Sequence, residues 1–286
     1  MKQKIRYLLT CARNNLAEMR FVCPSCGYSC SEVVDRKYFV TTLRRCKQCH
    51  LLFRAPTTTA DENASFYQEE YAQGFTTDYP NSQQLKTYLD NGFSGTEKDY
   101  STYLEVVRGA GGESGNRLFD FGCSWGYGSY QFQQDGFDVE SFEISVPRAN
   151  FARANLGAKV YSSLSEVSGS FDIFFSSHVL EHVPSVQEAI DFGFSILRPG
   201  GLFIAFTPNG SAAYRRKDPK GWHKLWGLVH PNFLDDVYYK YRFSDSSFFL
   251  SSNPYSIQDI NKWKIDQGGA AILPLNGGEL LVIVRK

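Results

Sequence analysis

Short apolar runs alternate with helix-forming segments through the middle of the chain. The pattern predicts strands at Arg117–Phe121, Asp138–Glu143, Lys159–Tyr161, Phe171–Ser176 and Leu202–Thr207, and helices at Tyr127–Gln134, Val146–Asn155 and Val186–Leu197. Regular alternation with short loops predicts an α/β fold with a parallel sheet. Ligands of such sheets bind at the carboxyl ends of the strands. The polar and glycine positions predicted at those ends are Asp120, Gly122, Glu143, residues 176–178 and residues 207–209.

Outside this core the pattern is less regular. Residues 3–20 carry an apolar stripe that predicts an amphipathic helix, expected to pack on the protein's own body, on a second copy as a homodimer, or on a membrane surface. Towards the C-terminus, Asp245–Ser252 is predicted as a helix, and Tyr255–Ile260 and Leu280–Arg285 as strands. The predicted divisions are a helix at 1–22, a ribbon at 23–56, a helical connector or lid at 57–112, and a core at 113–286 with a cap inserted at 210–243.

Charge is balanced over the whole chain but unevenly distributed. The 286 residues hold 30 Lys/Arg and 30 Asp/Glu. Residues 1–54 hold eleven Lys/Arg against three Asp/Glu, so a basic head precedes an acidic body. Such a head meets an anionic partner, packs on the body or is merely solvated. Neither a bilayer-spanning stretch nor a secretory signal is predicted, and a cytoplasmic location is expected.

A glycine-rich turn follows the first predicted core strand. Its sequence, Asp120-Phe121-Gly122-Cys123-Ser124-Trp125-Gly126, lacks the second glycine that a dinucleotide site uses to admit a pyrophosphate. Glu143 ends the next strand, where a carboxylate suits the hydroxyls of a ribose. The turn therefore predicts a nucleoside site without pyrophosphate chemistry. A glycine turn in an ordinary α/β domain is the alternative.

The turn resembles the first motif of class I S-adenosylmethionine-dependent methyltransferases, and two later segments extend the resemblance. Residues 171–183, with Ser177-His178-Val179-Leu180-Glu181-His182, look like their fourth-strand motif, and residues 197–209 look like their fifth. The resemblance implies a Rossmann-like seven-stranded core that binds S-adenosylmethionine. The cofactor-binding residues it implies are Asp120, Gly122, Cys123, Ser124, Trp125, Gly126, Glu143, Ile144, Ser163, Ser177 and His178. Tyr71 or Tyr79 is expected to reach the pocket or to pack as a core aromatic.

Two CxxC pairs, Cys23/Cys26 and Cys46/Cys49, lie 19 residues apart. Each pair places two thiolates on one tight turn, and two turns make the four-sulfur cage that structural zinc prefers. A redox role is the alternative, although one pair would suffice for that. The segment that ends in Leu51-Leu52-Phe53 and Pro56 resembles the zinc-ribbon head of many bacterial methyltransferases. The remaining cysteines, Cys11, Cys30 and Cys123, are expected to be small buried residues.

Five histidines are candidates for chemistry. His178 and His182 follow the fourth strand, where the resemblance puts the cofactor, and His223 and His230 come from the aromatic, basic cap; His50 adjoins Cys49 as an alternative zinc ligand. A hydroxyl acceptor benefits from a group that removes its proton. We expect His178 or His182 near the methyl group and His230 facing the acceptor, with structural hydrogen bonding as the alternative for each.

Three hypotheses about function follow. The first is methyl transfer to a small-molecule or glycan-like acceptor, such as a nucleotide-linked sugar, with O-methylation favoured. The second takes RNA as the acceptor, because the head is basic, although the acidic body argues against nucleic acid. The third is a non-enzymatic interaction protein, which the intact Asp120, Gly122, Gly126 and Glu143 disfavour.

Overall fold

The chain forms two sheets in a computed structural model that describes residues 9–59, 62, 78–265 and 269–286. The strands in these ranges are β1 (Ser31–Lys37), β2 (Thr41–Cys46), β3 (Leu52–Ala55), β4 (Arg117–Phe121), β5 (Asp138–Phe142), β6 (Lys159–Tyr161), β7 (Phe171–Ser177), β8 (Leu197–Pro208), β9 (Asn232–Phe233), β10 (Phe248–Ser252), β11 (Ala270–Ile272) and β12 (Glu279–Arg285). From residue 78 onwards the α-helices are α1 (Ser82–Asp90), α2 (Ser101–Ala110), α3 (Tyr127–Gln134), α4 (Val146–Leu156), α5 (Val186–Ile196), α6 (Ala212–Lys217), α7 (Pro219–Leu225), α8 (Asp236–Arg242) and α9 (Ile257–Ile265).

The larger sheet has the strand order β11-β10-β12-β8-β7-β4-β5-β6. From β6 to β8 neighbouring strands are parallel, and β12 lies antiparallel between β8 and β10. The predicted α/β fold is confirmed. The predicted seven-stranded core is present as β4–β8, β10 and β12, and the short strand β11 adds an eighth strand at the edge of the sheet, beside β10.

Alternate residues of the strands fill the two faces of this sheet, as the period of a strand requires. Phe119 and Phe174 belong to one buried cluster, which includes Ile190 of α5. Leu118 and Ile173 belong to the other, with Val106 of α2. Both faces are therefore covered, and the functional groups are left to the carboxyl ends of the strands.

The prediction for residues 245–260 is wrong. Phe248–Ser252 is strand β10 instead of a helix, and Ile257–Ile265 is helix α9 where a strand was expected. A short apolar run such as Phe248–Leu250 does not by itself distinguish strand from helix, and pairing with β12 decides it. Ile257, Ile260 and Trp263, three residues apart, form one helical face that packs into the core.

The smaller sheet joins the ribbon to the cap. Its order is β1-β2-β3-β9, and β9 belongs to the predicted cap. Leu52 and Phe53 of β3 pair with Phe233 and Asn232 of β9. Trp222 and Trp226 of the cap pack with Leu43, Leu52 and Phe233. Ribbon and cap thus share one sheet and one apolar cluster.

The N-terminal prediction lies partly outside the described residues, since residues 1–8 are not among them. Residues 9–14 are helical and Glu18–Phe21 is a short 3-10 helix. Leu9, Leu16 and Met19, members of the predicted stripe, are exposed. Within the described parts of the chain, no helix has the length and apolar character needed to cross a membrane.

Candidate active site

The turn between β4 and α3 is held in shape by close neighbours. The amides of Gly122 and Cys123 both donate to the Phe142 carbonyl, at 2.8 and 3.0 Å. Gly122 has φ +90°, and a Cβ there would stand 2.4 Å from Cγ2 of Val179. Ser124 adopts φ 54°, a left-handed conformation that is uncommon for a serine. The glycine allows the segment after β7 to lie directly against the turn.

Glu143 closes the far side of this turn. The Ser124 amide donates to Glu143 Oε2 at 2.9 Å, and the Ser145 amide donates to Oε1 at 2.7 Å. Arg148, fully buried, donates from Nη1 to Ser124 Oγ at 3.1 Å. Burial raises the pKa of Glu143 to about 7, although the amide hydrogen bonds and Arg148 act against it. The carboxylate is thus buried at the turn rather than exposed to bulk water.

Asp120 is the penultimate residue of β4, directly before the turn, and it is buried. Ser129 Oγ donates to Asp120 Oδ2 at 2.6 Å and lies 2.9 Å from Ser141 Oγ. Burial raises the pKa of Asp120 to about 6, although the hydrogen bond from Ser129 lowers it. Two buried acids, Asp120 and Glu143, therefore flank the glycine turn.

Two buried polar atoms beside the turn have no hydrogen-bond partner among the described residues: Tyr79 Oη and Trp125 Nε1. The Tyr79 ring lies 5.2 Å from the Arg148 guanidinium. The Trp125 ring packs among aromatics, with its centroid 4.9 Å from that of Tyr127. Buried donors without a partner are costly, and they suit a polar ligand such as S-adenosylmethionine. Tyr71, the other predicted tyrosine, lies outside the described residues.

The remaining predicted cofactor residues lie at the same edge of the sheet with different environments. Cys123 is buried, whereas Ile144 is 38% exposed. Ser163 caps a short 3-10 helix by accepting from the Ser165 amide at 3.4 Å. Ser177 is the last residue of β7. These residues lie along one edge because β6, β5, β4 and β7, the strands that they follow, are neighbours in the sheet.

His178, directly after β7, lies between two carboxylates. Its Nε2 is 2.5 Å from Glu279 Oε2, and its Nδ1 is 3.2 Å from Glu181 Oε1. Although burial lowers it, these two hydrogen bonds raise the pKa of His178 to about 10. Both nitrogens therefore donate, and the ring is a charged imidazolium. A left-handed φ of 54° turns the backbone at this residue, a local strain typical of functional sites.

The structure brings His182 and His230 together with Glu181, and we call these three residues the histidine cluster. The two rings are 4.7 Å apart between centroids, edge to face. One ligand atom from each residue lies within 4.8 Å of the others. Burial lowers the pKa of His182 to about 4. Despite burial, the hydrogen bond from His178 and the charges nearby lower the pKa of Glu181 to about 2.

Polar groups of the cap contact the ribbon and each other. His223 Nδ1 lies 2.6 Å from Asp35 Oδ2, and Trp226 Nε1 donates to the same oxygen at 3.0 Å. The Arg215 guanidinium lies 4.3 Å from the centre of the buried Trp222 ring. The cap aromatics Trp222 and Trp226 therefore pack within the protein.

The four cysteines of the CxxC pairs lie together, and we call them the cysteine cluster: Cys23, Cys26, Cys46 and Cys49. Sγ atoms of Cys23 and Cys49 are 3.6 Å apart, and those of Cys26 and Cys46 are 3.5 Å apart. Zinc–sulfur bonds of about 2.3 Å in a tetrahedron put sulfur atoms about 3.8 Å apart. The cluster therefore has the donor set and spacing of a four-thiolate zinc site. His50 instead packs edge to face on Tyr241.

Comparison with known proteins decides the family. A family model described as a methyltransferase domain matches residues 97–244, just over half of the chain. The chain belongs to this methyltransferase family. Its α/β core with a mostly parallel sheet agrees with the Rossmann-like fold of class I methyltransferases that the resemblance implied. A methyltransferase domain favours the two enzymatic hypotheses over the non-enzymatic one.

Individual relatives are more distant. The methyltransferase is 29% identical over 141 residues to a ubiquinone biosynthesis O-methyltransferase of Sinorhizobium fredii, covering 42% of this chain and 57% of the relative. It is 27% identical over 101 residues to a probable S-adenosylmethionine-dependent methyltransferase of Mycolicibacterium smegmatis, covering 34% of this chain and 39% of the relative. Each match spans less than two thirds of the relative.

Among solved structures, the plantazolicin methyltransferase BpumL in complex with SAH is similar in fold. The TM-score is 0.50 at 12% identity, over 78% of this chain and 94% of that one. At this identity the likeness concerns the fold alone. The match extends beyond the core segment that the family model covers.

Several residues of this site carry no signal in the sequence. Glu279 starts β12, 101 residues after His178, and it also accepts from Tyr103 Oη at 3.0 Å and from Tyr255 Oη at 2.5 Å. Arg148 reads as an ordinary polar position of a helix. Antiparallel insertion of β12 beside β8 brings Glu279 to the site, and only the tertiary fold reveals it.

Proposed function

We propose that this methyltransferase transfers a methyl group from S-adenosylmethionine to a hydroxyl of a small-molecule or glycan-like acceptor. The observation that carries the proposal is the histidine cluster, in which Glu181 and His182 follow β7 and Val179, the residue packed against Gly122, and the cap supplies His230. Hydroxyls need help to lose a proton, whereas neutral amines do not. Two imidazoles and a carboxylate at this position favour an oxygen acceptor.

The residues around the glycine turn would hold the cofactor. We assign the ribose hydroxyls to Glu143 and the region of the sulfonium to Asp120, with Tyr79 and Trp125 as the donors that gain partners. When bound, the cofactor supplies a methyl group already activated by its cationic sulfur. The protein's own task is then to align the acceptor and to ionise its hydroxyl.

His178 has a different task from its neighbours. A proton sits on each of its nitrogens, so it does not serve as a base. Held by Glu181 and Glu279, it fixes the position of the Glu181 carboxylate. Ionisation of the acceptor hydroxyl is assigned to the histidine cluster as a whole.

The acceptor is recognised by polar groups in this proposal. Cap aromatics that would stack on a sugar, Trp222 and Trp226, are buried against the ribbon. Basic residues of the head are also used internally, since Arg45 Nη2 pairs with the buried Asp235 at 2.6 Å and Arg54 is itself buried. Less positive surface is then available for RNA, and a small hydroxylated acceptor fits better.

The cysteine cluster is proposed to bind one structural zinc ion. Four thiolates complete a tetrahedral shell and leave no position for a substrate. Arrangement of both pairs in one site also disfavours the redox alternative, which needs only one pair.

Product analysis tests the proposed function. The full-length, zinc-loaded protein is incubated with radiolabelled S-adenosylmethionine and a panel of polyols, phenols, amines, glycans and RNA, and the methylated atom is identified by NMR. An O-methyl product is expected. His182→Gln should lower kcat by about 10²–10⁴-fold with an unchanged Kd for S-adenosylmethionine by calorimetry.

His223→Gln is the matched control, because His223 also contacts a carboxylate of the protein but lies outside the histidine cluster. Its kcat should equal that of the wild type. Methylation of nitrogen or carbon alone, or an unchanged kcat for His182→Gln, contradicts the proposal.

A further inference from the structure

The histidine cluster has the hydrogen-bond pattern of metal-binding histidines. His182 Nδ1 lies 2.5 Å from the Val229 carbonyl oxygen, and His230 Nδ1 lies 2.5 Å from that of Leu225. A carbonyl only accepts, so each Nδ1 carries a proton, and Nε2 is the ring nitrogen through which each neutral imidazole would bind a metal. Metal-ligating histidines nearly always donate their other ring N–H in this way, which fixes both the tautomer and the ring orientation.

Glu181 supplies a second, independent observation. Its side chain is 0% exposed, and Oε2 has no hydrogen-bond partner among the described residues. The other oxygen faces His178 Nδ1 at 3.2 Å and His182 Nε2 at 3.8 Å. A buried carboxylate oxygen without a partner is costly, and a cation would relieve that cost.

The backbone that presents these groups is held in place by the cap. The Asn232 amide donates to the Glu181 carbonyl at 3.1 Å, and Asn232 Nδ2 donates to the Val183 carbonyl at 2.7 Å. His230 is two residues before Asn232 on the same segment. The ligands are therefore arranged before any ion arrives, as a metal site requires.

We propose that Glu181 and the Nε2 atoms of His182 and His230 bind a divalent transition-metal ion. Two imidazoles and one carboxylate suit Zn²⁺, Fe²⁺, Co²⁺ or Mn²⁺ and leave coordination positions open. The acceptor hydroxyl takes one of these positions, a role that rests on the proposed function. Coordination lowers the pKa of the hydroxyl, its proton leaves to water, and the oxygen is ionised for attack. His182 and His230 thus act as ligands, with the cation between them and the acceptor.

Cobalt titration of the full-length, zinc-loaded protein tests the site. Thiolate ligands give intense sulfur-to-cobalt charge-transfer bands, whereas imidazole and carboxylate ligands do not, so the absorption spectrum separates the two clusters. One equivalent of Co²⁺ without thiolate bands is expected. Glu181→Gln and His230→Gln should each weaken its binding by 10-fold or more, and His223→Gln should leave it unchanged. Calorimetry with S-adenosylmethionine verifies that both variants fold.

The possible outcomes separate the site from its role. The metal site is overturned if the zinc-loaded wild type binds no Co²⁺. It is also overturned if folded Glu181→Gln and His230→Gln bind Co²⁺ as the wild type does. A bound ion whose removal, with the zinc retained, leaves kcat unchanged overturns its role in ionising the hydroxyl. A methyl group found on nitrogen or carbon would defeat the proposed function while the metal site stood.

Discussion

The cysteine cluster and the histidine cluster are both compact sets of metal-binding side chains, but they are built in opposite ways. Four soft thiolates from two sequence-local pairs form the first, and they fill a tetrahedral shell. Two imidazoles and a carboxylate form the second, and 48 positions of sequence separate His182 from His230. Only the second leaves room for another ligand. The comparison separates a cluster suited to holding a fold from one suited to holding an acceptor.

The two clusters are nevertheless connected through one strand. β9 pairs with β3 of the ribbon, and its Asn232 holds the turn that carries Glu181 and His182. Zinc in the cysteine cluster would therefore support the histidine cluster from a distance. Variants that affect one cluster and spare the other test how strong this connection is.

The largest expected effect comes from Cys46→Ser. Binding of structural zinc is worth about 10–16 kcal/mol in small zinc domains, so loss of one thiolate should unfold the ribbon and lower the free energy of unfolding by several kcal/mol. Mass spectrometry measures the loss of zinc, and calorimetry measures the drop in Tm. Amide exchange in β1, β2 and β3 should become faster.

Cys30→Ser is the control, because Cys30 lies outside the cysteine cluster and is exposed, so that the prediction of a buried residue is wrong for Cys30. It should keep one zinc ion and the wild-type Tm. An unchanged Tm for Cys46→Ser would show that the ribbon folds without metal and that the cysteine cluster is not structural.

A smaller effect is expected from Gly122→Ala, which acts where the glycine turn meets the segment leading into the histidine cluster. The new methyl group would stand 2.4 Å from Val179 Cγ2, at a φ of +90°. Overpacking of this kind costs about 1–3 kcal/mol. We expect lower stability by chemical denaturation and weaker binding of S-adenosylmethionine by calorimetry, with zinc retained in the cysteine cluster.

Gly157→Ala isolates the backbone contribution, because Gly157 also has a positive φ, +65°, but a Cβ there would meet no heavy atom within 4 Å. Because alanine is strained in a left-handed conformation, Gly157→Ala should lower the free energy of unfolding by about 1–2 kcal/mol. The affinity for S-adenosylmethionine should stay unchanged. Equal loss of affinity in both variants would mean that contact with Val179 is irrelevant to the site.

The two clusters also show what the sequence can and cannot predict. CxxC spacing and the glycine turn are local signals, because neighbouring residues build each turn, and both identify their positions directly. The meeting of His182 with His230 depends on the cap folding back through β9, which no local pattern encodes. Glu279 reaches His178 from the C-terminal strand for the same reason. In residues 245–260, where a short apolar run was ambiguous, pairing with β12 overrode the prediction.

The smallest expected effect concerns Glu143, a buried carboxylate that hydrogen-bonds to amides instead of facing imidazoles as Glu181 does. Its pKa is raised to about 7, and that of Asp120 to about 6. Raised acid pKa values mean that the folded protein without cofactor binds extra protons. The stability they contribute is present below the unfolded pKa values, near 4, and is lost as pH rises through about 6 to 7.

Affinity for S-adenosylmethionine should change in the opposite direction, because ribose hydroxyls donate best to the ionised carboxylate and the sulfonium is cationic. Below pH 7, each unit of pH should weaken binding by up to about tenfold, as measured by calorimetry between pH 5.5 and 8. Glu143→Gln should bind weakly and lose most of this dependence, whereas Glu181→Gln should keep it. If Glu143→Gln followed the wild-type pH profile, the ribose would not contact Glu143. The proposed difference between Glu143, which binds the cofactor, and Glu181, which does not, would then be wrong.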